Sequence, residues 1–243
     1  MSYSENLKIA VIGAGGAIGG GFVRNFAEKD NVDKIFAFSS KDNNFESGKV
    51  ESVNIDIHNE DSIKEASEKA AADGEIDIVI VALGLLHDEG LTPEKSIKNM
   101  SKENFDRIFA VNTVAPALCM KHFLPKLKKK EKSAFLVLSA RVGSIGDNAL
   151  GGWYAYRASK SALNMLIKNA AIEMNRRFKD MVVAGLHPGT VDSHLSSMFK
   201  AHVKPDHLFT PDYSCGKLIE VIMGLEAKHS GRVIAYDNEI IEN

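Results

Sequence analysis

A tyrosine and a lysine four positions apart, Tyr156 and Lys160, are the residues of this sequence best suited to proton transfer. They fall in a segment with a helical pattern, where residues four apart share one face. A phenol with an ordinary pKa near ~10 is a poor base at neutral pH, and a nearby ammonium lowers that pKa by favouring the phenolate. Such a pair could therefore donate a proton to a substrate oxygen or accept one from it. The spacing alone is common on helices and usually carries no chemistry.

A second candidate feature is the glycine-rich turn at 13–19, which lies between an apolar segment at 8–12 and a helical pattern at 17–29. Glycines let the backbone turn sharply and approach a pyrophosphate, and the helix N-terminus presents free N–H groups to it. The spacing of Gly13, Ala17 and Gly19 fits G-x-x-x-A-x-G and does not fit G-x-G-x-x-G. A tight turn without a ligand is the alternative. The predicted dinucleotide contacts of this turn are Gly13, Gly15, Ala17, Ile18 and Gly19.

The end of the second predicted strand bears on which dinucleotide would bind. An acidic residue there would accept hydrogen bonds from the adenosine ribose and repel a 2′-phosphate. Ser39, Ser40 and Lys41 instead offer two hydroxyls and an ammonium, which suit a phosphate, and the next carboxylate is Asp42. We therefore predict that NADP(H) is favoured over NAD(H), with an ordinary polar turn as the alternative.

Strand-like and helical segments alternate along the whole chain and would position these groups. Candidate strands lie at 8–12, 34–38, 51–55, 76–83, 134–139, 181–186 and 232–236. Several of them are near-continuous apolar runs, typical of strands covered on both faces. Helical patterns lie at 17–29, 59–72, 101–130, 153–179 and 211–227. This order predicts an α/β fold with a doubly wound, mainly parallel, seven-stranded sheet and helices on both faces. We expect one domain over 1–243, with a substrate loop at about 190–210.

The composition excludes several other classes of protein. Thirty Lys and Arg against 32 Asp and Glu give a net charge of -2, which offers no basic surface for nucleic acid or an anionic membrane. Two cysteines exclude a disulfide framework and a Cys-rich zinc site, and the eight histidines are scattered. The sequence has no signal-peptide pattern and no apolar run of about 18 residues. We expect a cytoplasmic protein that holds no metal and binds neither nucleic acid nor membranes.

Together, the glycine turn and the Tyr156–Lys160 pair resemble the short-chain dehydrogenase/reductase family, and the resemblance covers essentially the full chain. Asn112 resembles the family's helix asparagine, which anchors a water and proton relay beside the lysine. Asp56 resembles its adenine-contacting aspartate, and the segment from Pro188 resembles the one that holds the nicotinamide carboxamide. Without the family, Asn112 could be a mid-helix residue bonded to its own backbone, and Asp56 a helix cap. The segment at Pro188 could be only a turn.

The resemblance implies a Rossmann fold with strand order 3-2-1-4-5-6-7 and further contacts to the cofactor. These contacts are Asp56, Ile57, Ala82, Gly84, Tyr156, Lys160, Pro188, Gly189, Val191 and Ser193. The run 139–156 is most similar to the C-factor-like and sniffer-type carbonyl reductase subgroup. Relatives often form dimers or tetramers through the helices near 101–130 and 153–179, and some are monomers, so a homodimer or homotetramer stays open.

Two stretches near the cofactor depart from the family pattern. Ile12 stands where a threonine usually precedes the first glycine, and Ala17 stands where a second glycine is usual. The Ala17 methyl group would lie where the backbone should approach the cofactor closely. The family's N-N-A-G after the fourth strand is reduced to the segment 81–84, which keeps only its final glycine, Gly84.

The most serious departure is at the family's catalytic serine, where this chain has Ala140. Loss of one preorganised donor to an oxyanion typically costs about 10²–10³ in rate. Either Ser139 or Ser144 substitutes through a local shift, another group takes the role, or catalysis is weak. We favour Ser139, which requires an irregularity at the strand end because alternate residues point to opposite faces.

The resemblance implies reversible hydride transfer between NADP(H) and a carbonyl or alcohol group of a small or medium organic substrate. Tyr156 would be the general acid or base, Lys160 would hold the nicotinamide ribose, and Asn112 would carry a water of the relay. Ser139 would help to hold the carbonyl. One alternative is an NADP(H)-binding signalling or sensor protein of the C-factor type with weak or no turnover, which Ala140 favours. Another is an epimerase or dehydratase acting on nucleotide sugars, which usually carries a further domain.

Overall fold

The structure, a computed structural model, describes residues 3–242 apart from the side chain of His202. The strands are β1 (Leu7–Ile12), β2 (Val32–Ser39), β3 (Val50–Asn54), β4 (Ile78–Val81), β5 (Ser133–Leu138), β6 (Met181–His187), β7 (Thr190–Val191), β8 (Leu208–Phe209), β9 (Val233–Ala235) and β10 (Ile240–Ile241). The α-helices are α1 (Ala17–Ala27), α2 (Glu60–Ala70), α3 (Lys102–Phe109), α4 (Ala115–Phe123), α5 (Tyr154–Asn175) and α6 (Pro211–Gly224).

Eight of the strands form one sheet in the order β10-β9-β6-β5-β4-β1-β2-β3. The neighbouring strands pair in parallel, except that β10 runs antiparallel to β9. The predicted doubly wound sheet and its order 3-2-1-4-5-6-7 are therefore confirmed, with β9 as the seventh strand. The predicted count of seven is one too low, because the short β10 adds an antiparallel edge after a turn in which Asn238 has a φ of 70°.

Helices cover both faces of this sheet. One face carries α1 and α6, whose Phe22, Leu218 and Ile222 are buried in a common core. The other face carries α2, α4 and α5, with Phe123 and Leu163 buried against the strands. Because the strand order reverses between β1 and β4, their carboxyl ends leave a crevice at this point, which is where such sheets bind ligands.

The helical segment predicted at 101–130 is confirmed over 102–126, but it is not one regular α-helix. The chain forms α3, a π-helical segment at Ala110–Val114, α4, and a 3-10 turn at Leu124–Lys126, without a break between them. Such π segments interrupt α-helices where one residue is held by contacts outside the helix, often at functional sites. That residue here is Asn112, whose contacts are described below.

The segment predicted as a loop at 190–210 has local structure. Its two ends, β7 and β8, pair in parallel outside the main sheet. Two 3-10 turns, at Lys200–His202 and Pro205–His207, lie between them. Within residues 3–242, no helix combines the length and the apolar character needed to cross a bilayer.

Candidate functional site

A cavity of about 420 Å³ lies at the carboxyl ends of the central strands. The glycine turn, the segment after β4, the end of β5, the start of α5 and the segment after β6 form its walls. Residues that were predicted from separate sequence motifs therefore line the same cavity. Those that line it are Ala17, Ile18, Ala82, Gly84, Ser139, Tyr156, Lys160, Pro188, Gly189, Val191 and Ser193.

The glycine turn closes tightly against β1. Gly13 has a φ of 87°, and a Cβ on Gly19 would lie 2.1 Å from the carbonyl oxygen of Gly13. A side chain at either position would push the start of α1 away from the strand. A Cβ on Gly15 would lie 2.5 Å from Ser39 Oγ. The three glycines thus keep the backbone open where the turn faces the end of β2.

The end of β2 presents polar groups beside this turn. Ser39 is buried and its Oγ accepts a hydrogen bond from the backbone N–H of Lys41 at 3.1 Å, while Ser40 and Lys41 are exposed. The Nδ2 atom of Asn43 is buried and has no hydrogen-bond partner among residues 3–242. Sequence reasoning missed Asn43, because nothing in its local sequence shows that the chain turns back towards Gly15.

Asp56 lies at the outer end of this region, one residue after the buried Ile55. It is exposed, and its Oδ1 accepts the backbone N–H of His58 at 2.9 Å. The alternative that Asp56 caps α2 is wrong, since the cap is Asn59, whose side chain accepts from Asp61 N. The roles of Asp56 and Ile57 towards adenine stay predictions.

Tyr156 and Lys160 lie in the first two turns of α5 and are almost completely buried. Lys160 Nζ donates to the carbonyl oxygen of Leu138 at 2.8 Å and lies 6.0 Å from the centre of the Tyr156 ring. Burial raises the pKa of Tyr156 to about 12 and lowers the pKa of Lys160 to about 7. The sequence predicted that Lys160 would lower the pKa of Tyr156, but in this structure the effect of burial, which raises that pKa, is the larger one. The Tyr156 phenol therefore keeps its proton at neutral pH.

The buried amine makes a testable contribution to stability. Since its pKa falls from 10.5 to about 7 on folding, the penalty for burying the charge is full below pH 7 and disappears as pH rises to 10.5. We expect Lys160→Met to raise the free energy of unfolding at pH 7 by on the order of 2–4 kcal/mol: the fall in pKa contributes about 5 kcal/mol at roughly 1.4 kcal/mol per pKa unit, and the unpaired Leu138 carbonyl subtracts about 1–3 kcal/mol. Urea unfolding at pH 7 and pH 10 measures this gain, which should shrink at pH 10. Lys168→Met, on the same helix, is the control. The prediction would be contradicted if the wild-type protein were more stable than Lys160→Met at both pH values.

Asn112 is completely buried and is held by residues distant in sequence. Its Oδ1 accepts from Leu85 N at 2.7 Å, and its Nδ2 donates to Leu85 O at 2.9 Å and to Ser159 Oγ at 3.1 Å. The alternative that Asn112 bonds to its own helix is wrong. The side chain instead ties the π-helical segment to the cavity wall after β4 and to α5, between Tyr156 and Lys160. Its place in a proton relay stays a prediction.

The chain leaves β5 at Leu138, so Ser139 and Ala140 both line the cavity. This is the irregularity that a role for Ser139 requires. However, the buried Ser139 hydroxyl donates to Oδ1 of Asn164 at 2.6 Å. Its hydrogen is thereby engaged, and its oxygen can only accept from a further group. Ser144, the other candidate, accepts the backbone N–H of Asp147 at 3.0 Å.

His187, which ends β6, also lines the cavity and was missed by sequence reasoning. Its Nδ1 is buried without a hydrogen-bond partner among the described residues. Burial, with a smaller effect from the Arg141 charge, lowers the pKa of His187 to about 4, so the imidazole is neutral at pH 7. The only sequence feature that could have indicated a role for His187 is its position directly before Pro188, and this position does not show whether the ring points into the cavity.

The segment that follows β7 closes the outer side of the cavity. Leu195 and Phe199 line it, and the Phe199 ring lies 5.3 Å from the ring of Trp153. His194 also lines it and lies 4.8 Å, ring to ring, from His87. These contacts connect the predicted substrate loop to the segment after β4 and to the start of α5.

A nicotinamide dinucleotide fits these residues. The glycine turn leaves room for a pyrophosphate, and the unpartnered Nδ2 atom of Asn43 lies beside Gly15 of that turn. In the cavity itself, the unpartnered His187 Nδ1 atom and the Lys160 ammonium could bind polar groups of the cofactor. Among residues 3–242, no group of three or more His, Cys, Asp or Glu side chains is arranged to hold a metal ion.

A doubly wound sheet with a glycine turn after its first strand, and a Tyr–Lys pair in the crevice, defines the class of nicotinamide-dependent oxidoreductases with a Rossmann fold. The family model described as short chain dehydrogenase matches residues 8–204. The chain belongs to this family, and the prediction from the Tyr156–Lys160 pair and the glycine turn is confirmed.

Individual proteins agree with this assignment. The C-signal protein of Myxococcus xanthus is 32% identical over 130 residues, which are 54% of this chain and 73% of that protein. A 1-hydroxy-2-glutathionyl-2-methyl-3-butene dehydrogenase of a Rhodococcus species is 26% identical over 77% of this chain and 78% of its own. The predicted likeness to the C-factor-like and sniffer-type subgroup is confirmed, because both kinds of protein occur among the matches.

Solved structures show the same fold. A carbonyl reductase from chicken fatty liver, solved with NADPH bound, has a TM-score of 0.85 at 24% identity, covering 100% of this chain and 96% of that chain. The carbonyl reductase Sniffer of Drosophila melanogaster has a TM-score of 0.82 at 21% identity, with 100% of both chains covered.

Proposed function

We propose that this protein reduces the carbonyl group of a small or medium organic substrate with NADPH, and that Tyr156 is the general acid. The observation that carries the proposal is a buried phenol with a raised pKa, set in the same cavity as Lys160 and the glycine turn. At neutral pH this phenol carries the proton that reduction requires, and a Lys160 ammonium in the same cavity would lower the pKa of Tyr156 towards the working pH, where general acid catalysis is most efficient.

In this proposal each group of the cavity has a separate task. Reduced nicotinamide, when bound, supplies a hydride to the carbonyl carbon. The Tyr156 hydroxyl donates its proton to the carbonyl oxygen as that oxygen gains negative charge, so that the product is an alcohol. Lys160 stabilises the phenolate that is left, and a proton from solvent restores the phenol. Asn112, which is held by Leu85 and Ser159, would anchor the water through which that proton is resupplied. Ser139 would orient the carbonyl if its hydroxyl leaves Asn164.

The walls favour an apolar substrate. Beyond the residues assigned to the cofactor, the lining is mostly hydrocarbon and aromatic surface, from Leu83, Leu86, Val142, Trp153, Leu195 and Phe199. Such surface excludes water and rewards the burial of an apolar group next to the carbonyl. The substrate segment 193–199, which supplies two of these residues, would close over the substrate.

A panel of aromatic and aliphatic aldehydes and ketones, each supplied with NADPH or NADH, tests the proposed activity. We expect protein-dependent oxidation of NADPH with at least one apolar carbonyl, and slower oxidation of NADH. No protein-dependent oxidation of either cofactor across the panel would overturn the proposal and favour a signalling role. Ala140 and the similarity to the C-signal protein are the observations that favour that second function.

The predicted preference for NADPH over NADH can be tested separately at the polar residues that follow β2. Replacing Lys41 with Ala removes an exposed ammonium beside Ser39 and Ser40. Because a hydrogen bond to a charged group contributes about 1.5–3 kcal/mol, we expect NADPH to bind roughly 10-fold to 100-fold more weakly, and NADH to bind as before. Cofactor fluorescence titration measures both. Lys64→Ala, an exposed lysine on α2, is the control, and an equal effect on both cofactors would contradict 2′-phosphate recognition.

A further inference from the structure

The backbone that enters the catalytic helix is unusual. Gly151, Gly152 and Trp153 all lie in the left-handed region, with φ of 64°, 67° and 49°. Glycine adopts this region freely, but a tryptophan there is strained and has to be held by its surroundings. Trp153 is also the N-cap of α5, and its side chain forms no capping hydrogen bond within the described chain.

The missing cap is supplied by Glu94, which lies ahead of α3. The Glu94 carbonyl oxygen accepts the backbone N–H of Trp153 at 2.6 Å, and its carboxylate Oε2 accepts that of Ala155 at 3.3 Å. Its other carboxylate oxygen accepts from Asn104 Nδ2 at 3.5 Å. The residue is 1% exposed, and a carboxylate is buried this deeply only where it has such partners. The positive end of the helix dipole adds to its stabilisation, and no acidic residue of α5 itself lies in that first turn.

This contact lies next to the proposed chemistry. Tyr156 directly follows Ala155, the residue whose N–H the carboxylate holds. The Trp153 ring meets the Tyr156 ring edge-on, with centres 6.2 Å apart and planes at 79°, and it also contacts the ring of Phe199. The orientation of the phenol and of one cavity wall therefore depends on how the first turn of α5 is held.

We propose that Glu94 is a positioning residue for the reaction. Its buried carboxylate and its carbonyl hold Trp153 in the left-handed conformation and hold the first turn of α5, so that the Tyr156 hydroxyl is directed into the cavity. Glu94 touches neither substrate nor cofactor and acts through α5. The inference rests on the proposed function for its effect on turnover, but its effect on Trp153 is independent of any activity.

Three variants and one spectroscopic signal test this role. Trp153 is the only tryptophan in the sequence, so the protein's tryptophan emission reports directly on the start of α5. Glu94→Asp shortens the side chain by one methylene and withdraws the carboxylate from Ala155. Because a misplacement of about 1 Å can cost on the order of 10²-fold in rate, we expect kcat to fall by roughly 10-fold to 100-fold. The emission should shift to the red as Trp153 loosens, while the Kd for NADPH stays within about threefold, since phosphate contacts dominate cofactor binding.

Glu94→Gln keeps the length and an acceptor oxygen for Ala155. It should therefore retain the wild-type emission, and kcat within about threefold of wild type, because it removes the charge and leaves the hydrogen bond. Glu103→Ala, an exposed acid in the first turn of α3, is the matched control and should change neither reading.

Glu94→Asp with wild-type emission and wild-type kcat would overturn the inference. The inference would also be overturned if kcat fell equally in Glu94→Asp and Glu94→Gln while both variants kept the wild-type emission. If Glu94→Asp does not fold, Asn104→Ala, which frees one carboxylate oxygen, replaces it: a red shift supports the role of Glu94, and an unchanged emission overturns it. If the wild-type protein shows no turnover, the proposed function fails, whereas the emission of the variants still decides whether Glu94 holds Trp153.

Discussion

A Tyr156→Phe variant is expected to lose about 10²–10⁴-fold of its carbonyl reductase activity, the range that general acid catalysis by one side chain supplies. The change removes a single oxygen atom and keeps the buried ring, so the packing against Trp153 survives. The loss should appear in kcat, with the Kd for NADPH nearly unchanged, because the proton is needed only as charge develops on the carbonyl oxygen. Steady-state kinetics and a cofactor titration on the same preparation measure the two quantities.

Tyr154→Phe provides the matched control, since Tyr154 begins the same helix and is only partly buried. It loses the same atom two positions away and should keep its activity. Equal activity in the wild type and in Tyr156→Phe, with a carbonyl compound that the wild type reduces, would remove Tyr156 from the mechanism. Cofactor binding with no turnover above background in either protein, for every carbonyl compound of the panel, would instead match the signalling interpretation.

The layers of the fold could be predicted because each element carries its own pattern. The four residues of β4 are all buried, and their sequence, Ile78-Val79-Ile80-Val81, is already typical of a strand covered on both faces. The alternation of such runs with helices then fixes the parallel sheet. The π-helical segment could not be predicted, because it depends on bonds between Asn112 and Leu85, which are 27 positions apart.

The candidate site was predictable where its residues form a local motif. Tyr156 and Lys160 share one helix, so their spacing alone brings them together. The bond between Ser139 and Asn164 joins β5 to α5, and the bond from Glu94 to Ala155 joins the segment before α3 to the start of α5. Those partners are chosen by packing, which leaves no regular spacing in the sequence. The pKa values of Tyr156 and Lys160 could not be predicted for the same reason. The sequence shows the charge of Lys160, but it does not show that both side chains are buried.

A serine introduced at position 140 is expected to raise the turnover of this protein. Ala140 lines the cavity beside Tyr156, in extended backbone that any residue adopts, so a hydroxyl can be added without strain. The neighbouring Ser139 hydroxyl donates its hydrogen to Asn164 and has none left for a carbonyl oxygen. A preorganised donor to a developing oxyanion contributes about 10²–10³ in rate, so we expect Ala140→Ser to increase kcat by roughly 10-fold or more. Kinetics with the best carbonyl of the panel measure the gain.

The comparison with Ser139→Ala separates the two hydroxyls. If Ser139 only anchors Asn164, Ser139→Ala lowers the free energy of unfolding by about 1–3 kcal/mol through the partner left unpaired, and kcat changes little. Ala140→Ser then raises kcat by the same factor in the wild-type and the Ser139→Ala background, because the two side chains act independently. If Ser139 turns to the substrate during turnover, Ser139→Ala lowers kcat by about 10²-fold and the added serine restores that loss. An Ala140→Ser variant that leaves kcat unchanged in both backgrounds would mean that neither hydroxyl position faces the reacting oxygen, and that a third group such as His187 holds it.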